Sequence, residues 1–272
     1  VNVRAPQTNL AHGAPLSAVA RRFLALTYGA ICHVIFVIAA LTMVIIMGSG
    51  MTLGFGRLAE PWSWVANVTL LLQLPLGHSF FLSDRGRRVL KSFAPKAIAS
   101  DMAPTVYVII AAIQVGALFA LWTPSGAVWW QAEGALFYVF VALFLASWGL
   151  LGLSTLNAGL ELQSGFNGWS AVFLGRRVRY PDMPTKGLFR FTRNPIYVSF
   201  ALTTWTVPIW TPDALLVAIG LTAYCVLGPI LKEARYRRLH GERFDRYARN
   251  VPYFVPRMTP APTETPQSGS RR

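Results

Sequence analysis

The sequence predicts an all-α, polytopic integral-membrane bundle of about six helices, the last two forming a helical hairpin, with the N- and C-termini cytoplasmic. Three observations predict it. The chain is 54% hydrophobic and 13% charged with mean hydropathy +0.44, outside the range of ordinary soluble domains. It holds apolar runs near the roughly 20 residues a helix needs to cross a bilayer. When these runs are treated as crossings, all of the 25 Lys and Arg except Arg57 fall on one side, which is the bias of cytoplasmic loops.

The elements follow in order. Residues 1–28 read as an N-terminal cytoplasmic and interfacial segment: polar to Pro15, then a lead-in over 16–28 carrying Arg21 and Arg22. Residues 29–157 form an N-terminal membrane half with apolar runs at 30–47, 64–81, 104–122 and 136–156. A basic loop of Arg85, Arg87, Arg88, Lys91 and Lys96 follows the second run. Residues 158–257 form a second half, in which the run 196–210 is too short to span upright. With Pro208, Pro212 and Asp213 at the turn, it and the run 214–231 predict a hairpin that stops short of the far interface. Residues 258–272, rich in Pro, Ser and Thr, are expected to be disordered.

Several function classes are disfavoured. The formal charge of +14 invites a nucleic-acid reading, but the cations follow membrane topology and no soluble basic domain is present. The basic face instead suits anionic lipid headgroups. Cys32 and Cys225 lie in apolar runs as reduced thiols. The histidines, His12, His33, His78 and His240, have no zinc-site spacing, so no metal is expected; a haem between His33 and His78 is a weaker alternative. No internal repeat supports a transporter, and no G-x-G-x-x-G supports a Rossmann-type cofactor domain.

The richest stretch is 185–199, TKGLFRFTRNPIYVS. Lys186, Arg190 and Arg193 sit against an apolar run, with Pro195 suited to the first helical turn and Asn194 to the N-cap. A helix start beside cations attracts anions, and Tyr197 adds an aromatic face; such cations are also routine topology signals. Glu233 has two readings: an ion pair with Arg237 four residues on, or a place on an inward stripe with Tyr236, Leu239 and Tyr247. His78, near the basic end of the second run, faces either a neighbouring helix backbone or a cavity. Glu161 faces a cleft or, as the expected reading, pairs with a cation of 176–179. Trp205 lines an apolar path or packs in the hairpin.

Together, Gly187, Phe189, Arg190, Arg193-Asn194-Pro195-Ile196-Tyr197, Glu233, Gly241, Phe244, Tyr247 and Phe254-Val255-Pro256 resemble the motif of the isoprenylcysteine carboxyl methyltransferase family. Asn194 stands where that family usually has His, and Lys232 where it usually has the first Glu of a pair. The resemblance implies S-adenosyl-L-methionine as cofactor, bound by Lys186, Gly187, Phe189, Arg190, Arg193, Asn194, Pro195, Ile196, Tyr197 and Glu233. Glu233 would suit its amino and sulfonium charges, and Arg190, Arg193 and the Asn194 helix start its carboxylate. The His78-Ser79 pair and the basic loop after it are similar to the N-terminal half of bacterial methanethiol S-methyltransferases and NnrU-like proteins. This implies an enzyme of the bacterial inner membrane, its site facing the cytoplasm, that methylates a small thiol or a lipidic acceptor. His78, Glu161 and Trp205 are then candidate cleft residues. The alternative is a non-catalytic NnrU-like assembly or sensing protein.

Overall fold

A computed structural model describes residues 16–262. Helix α1, Ala18–Gly48, starts where Ser17 Oγ accepts the Ala20 N–H at 3.1 Å. Its 31 residues extend about 46 Å at 1.5 Å per residue, so the expected lead-in over 16–28 is no separate element. The same helix carries Arg21 and Arg22 and then crosses, because nothing in that stretch breaks it. Residues 1–15, and the tail beyond 262, lie outside the described residues.

Helix α2, Trp62–Leu82, is followed by α3, Asp84–Ser92, a short amphipathic helix capped by Ser83 and carrying four of the basic-loop cations. Helix α4 is Ala99–Ala120, and α5, Gly134–Gln163, bends at Gly159, whose φ of 95° breaks the helical backbone. Helix α6, Phe166–Phe173, then turns back against α1 and α4. The second half contains α7, Pro195–Trp205, α8, Pro212–His240, and α9, Glu242–Asn250.

Among the described residues, five helices are long and apolar enough to cross a membrane. The sixth expected run supplies only the 11-residue α7, about 16 Å long and half a hydrocarbon core. Its remaining residues form a departure from the all-helical pattern: β2, Ile209–Trp210, pairs antiparallel with β1, Trp130–Gln131. Helices α7 and α8 pack on each other as a hairpin.

Apolar packing fixes these helices at both ends. One core, including Met51, Leu71, Phe119, Trp122, Phe144 and Leu221, lies toward the end opposite the basic loops. A second, including Ala25, Leu90, Met102 and Val172, joins α1, α3, α4 and α6 at the basic end. The outer Leu, Ile, Val and Phe of α1 and α5 remain exposed, as a lipid-facing surface requires. At the far end Asp213, buried in the first turn of α8, accepts from Trp122 Nε1 at 2.9 Å, Ser125 N at 2.9 Å and Ser125 Oγ at 2.5 Å. Thr211 Oγ1 donates to Gly50 O at 2.6 Å and accepts from Ala214 N at 2.9 Å, capping the same helix.

Candidate active site

The two motif stretches, about 40 residues apart in sequence, meet at the basic end in one buried cluster. Its centre is Glu233, on α8 where the helix leaves the apolar region. Arg193 clamps it bidentately, Nε to Oε1 at 2.9 Å and Nη2 to Oε2 at 3.1 Å. Arg193 Nη1 donates to Ala248 O at 2.7 Å and Val251 O at 2.9 Å, and its backbone N–H to Pro252 O at 2.9 Å. Nearly all its donors are therefore spent inside the protein. Arg193 is a clamp that ties α7, α8 and the segment after α9 together, not a free receptor for a ligand carboxylate.

Asn194 occupies the N-cap position of α7, but its side chain makes no cap hydrogen bond. Instead Nδ2 donates to Glu233 Oε1 at 3.1 Å and Tyr253 O at 2.9 Å, while Oδ1 accepts from Lys232 Nζ. The two positions that depart from the family motif thus contact each other directly. Lys232 Nζ also donates to Arg193 O at 3.3 Å and lies 5.6 Å from the Tyr197 ring centre and 5.7 Å from that of Tyr236, within cation–π range.

The loop before α7 is held from below. A 3₁₀ turn, Gly187–Arg190, places Leu188 N on Asn157 Oδ1 at 2.8 Å. Gly187 has φ +58°, and a Cβ there would stand 1.8 Å from Asn157 Oδ1. Gly187→Ala is expected to lower stability by about 2 kcal/mol or more, read as a lower melting temperature in detergent; an unchanged melting temperature would show that this turn bears no load. Phe189 is buried, its carbonyl accepting from Tyr247 OH at 2.7 Å. Arg190 Nε donates to Ala261 O at 2.6 Å, and Lys186 is exposed. Pro195 is buried at the first turn, with Ile196 and Tyr197 half-buried beyond it. A cleft of about 460 Å³ opens beside Arg193, lined also by Ala248, Arg249, Asn250, Val251, Pro252 and Arg257.

Neither the Glu233–Arg237 pair, one of two readings of the sequence, nor the expected Glu161 pair forms among the described residues. Arg237 pairs with Asp245 at 2.8 Å rather than with Glu233, because Gly241, at φ 51°, ends α8 and folds α9 back. Leu239, placed on the inward stripe with Glu233, is exposed. Glu161 is exposed and makes no ion pair among the described residues; the nearby cluster finds Asp101 on α4 instead, at 3.1 Å from Arg177 Nη1. Another loop contact joins Asp182 to Arg243 at 2.7 Å, which holds the Asp182 carboxyl below its usual range.

His78 bonds a side chain rather than a backbone: its Nε2 lies 2.6 Å from Tyr107 OH. From it a line of aromatic contacts runs to the cluster, through Tyr224, 6.3 Å from the His78 ring, and Tyr197, 6.1 Å from Tyr224. His33 is engaged elsewhere, by Trp169 Nε1 at 3.1 Å. Among the described residues no group of three His, Cys, Asp or Glu is placed to hold a metal. Trp205 donates to Thr222 Oγ1 at 2.8 Å and packs on Trp210, bracing the hairpin.

The sequence marks Lys232 only as a departure from the motif and Tyr236 only as part of the inward stripe, and it gives no sign of Tyr107. The four-residue spacing from Lys232 to Tyr236 on one helix was a usable signal. The Tyr107 to His78 pairing had none, since it joins separate helices.

The chain is 26% identical over 240 residues to the methanethiol S-methyltransferase 1 of Bradyrhizobium diazoefficiens, covering 86% of this chain and 83% of that protein. A methanethiol S-methyltransferase of Crocosphaera subtropica is 25% identical over 88% of this chain and 94% of its own length. One of Mycobacterium tuberculosis is 26% identical over 87% and 97%. No family model and no solved structure matches. These relatives bear out the resemblance read from the motifs, and they extend it through both halves of the chain.

Proposed function

We propose, with similarity to the methanethiol S-methyltransferases over most of the chain as the premise, that this integral-membrane protein is an S-adenosyl-L-methionine-dependent methyltransferase acting on a small thiol of the methanethiol kind. The observation that carries the reading is the convergence of the two motif stretches on one buried, electron-rich cluster at the basic end. The distribution of Lys and Arg supports a cytoplasmic placement of that end, and the bacterial relatives support an inner membrane.

The residues present fit the cofactor in two respects. Tyr197, Tyr236, Asn194 Oδ1 and Arg193 O already surround an ammonium, and the same surroundings suit a sulfonium. Arg235, half-buried one turn from the cluster, makes no hydrogen bond or ion pair among the described residues and is free to receive a carboxylate. Arg190 spends its Nε on Ala261 O and keeps the rest of its guanidinium as a second candidate. The cofactor supplies an activated methyl group; the chain's task is alignment and exclusion of water. Tyr197 and Tyr236 provide apolar walls that strengthen electrostatic contacts inside, and Glu233, held by Arg193, fixes the negative charge of the cluster. A thiol acceptor reaches this boundary from the bilayer along the side where His78 is hydrogen-bonded to Tyr107 and Tyr224 packs against it. Trp205 and Glu161 have no part in this scheme.

The test is calorimetric titration of detergent-purified protein with S-adenosylhomocysteine. Binding is expected, and Tyr197→Ala and Glu233→Gln are each expected to weaken it about tenfold or more, about 1.4 kcal/mol. Unchanged binding in both variants removes these residues from the cofactor site; no binding to the folded wild-type protein removes the enzyme reading and favours the non-catalytic alternative. Formation of dimethyl sulfide from methanethiol then separates a small-thiol acceptor from a lipidic one.

A further inference from the structure

Lys232 is an anomaly of charge. Its ammonium is enclosed near the centre of the cluster, yet it contacts no carboxylate. Both Glu233 oxygens are taken by Arg193, one of them also by Asn194. The contacts of Lys232 Nζ are two carbonyl oxygens, Arg193 O and Asn194 Oδ1, and two aromatic faces, Tyr197 and Tyr236. Every one of these is electron-rich. Together they form a cage that selects a cation by π-face and dipole rather than by ion pairing.

The occupant is weakly held. Taking an ammonium out of water with no carboxylate in contact is costly, Glu233 being shared with Arg193 and Asn194, and a lysine has four flexible methylenes on which to withdraw. The geometry points to a cation subsite formed by Tyr197, Tyr236, Asn194 Oδ1 and Arg193 O that serves the cofactor's sulfonium, with the Lys232 ammonium as its internal stand-in, displaced when the cofactor enters. This rests on the cofactor reading above and adds to it a residue that competes with one charge form of the ligand. Two like charges cannot share the cage, so Lys232 opposes the sulfonium cofactor and leaves its neutral thioether product almost untouched. The protein is therefore biased toward holding S-adenosylhomocysteine.

The experiment is parallel titration of the full-length detergent-purified protein with S-adenosylmethionine and S-adenosylhomocysteine. Wild type is compared with Lys232→Met, which keeps the stem and removes the charge, and Lys232→Arg, which keeps the charge. In Lys232→Met the methionine cofactor is expected to bind at least tenfold more tightly, with the thioether changed less than threefold. Lys232→Arg is expected to keep a ratio close to wild type, and serves as the charge-retaining measurement if the Met variant folds poorly. Equal weakening of both ligands by Lys232→Met would mean that Lys232 receives the carboxylate common to both, and would overturn the inference while leaving the cofactor reading intact. An unchanged ratio overturns it likewise. If no folded variant and no wild-type protein binds either ligand, the cofactor reading itself falls and takes the inference with it.

Discussion

Replacing Arg193 by alanine is expected to destabilise the protein by about 3–5 kcal/mol, the usual cost of removing one partner from a buried ion pair. Three losses combine. Glu233 keeps a buried carboxylate with only Asn194 to satisfy it, and the carbonyls of Ala248 and Val251 lose their donor. The lysine substitution is expected to recover little, because one ammonium cannot reproduce a bidentate clamp together with two carbonyl contacts. Thermal unfolding in detergent, followed by tryptophan fluorescence, measures this. If Arg193→Ala melts within a degree or two of wild type, the cluster is not what joins α7, α8 and the segment after α9. The reciprocal change, Glu233→Gln, keeps an acceptor for Arg193 and is expected to be milder in stability, which is why it serves the binding test.

At the opposite end, Asp213→Ala is expected to cost about 3 kcal/mol. The substitution leaves the buried Trp122 Nε1 without its acceptor, a buried orphan costing roughly 1–3 kcal/mol, and unties the exposed Ser125 N–H and hydroxyl from α8. It also removes a carboxylate from the first turn of α8, where the helix dipole favours negative charge. Asp213→Asn, which retains one oxygen, is expected to fall between. The same melting assay checks both, and cofactor binding at the basic end is expected to survive in protein that remains folded. A loss of binding without a loss of stability would contradict the separation of these two regions.

Much of this architecture is legible in the chain because a bilayer imposes a simple rule: a long apolar run becomes a helix. The runs at 64–81 and 214–231 lie within α2 and α8 for that reason. Helix ends were less legible, since α1 begins at Ala18 and α8 continues to His240, where polar residues extend a helix that hydropathy no longer marks. The motif stretches named the neighbourhood of the site but not its wiring. Whether Glu233 meets Arg237 or Arg193 depends on where α9 folds, and Gly241 decides that. Asp101 takes Arg177 from Glu161 by a meeting of α4 with a distant loop, which no local pattern encodes. Lys232 and Asn194 looked like two separate departures from a motif; their contact makes them one paired change.

The segment after α9 has a consequence for how the protein is made. Residues 251–262 supply the acceptors for Arg193 N, Thr192 Oγ1, Asn194 Nδ2 and Arg190 Nε. A chain emerges from the ribosome N-terminus first, so these four donors of the 185–199 motif wait for about 60 further residues before they meet their acceptors. The N-terminal helices can assemble during synthesis, but the cluster around Glu233 closes only after translation has passed Ala261. A chain that stops short of residue 251 is therefore expected to keep the N-terminal helices but to leave the cluster at the basic end open.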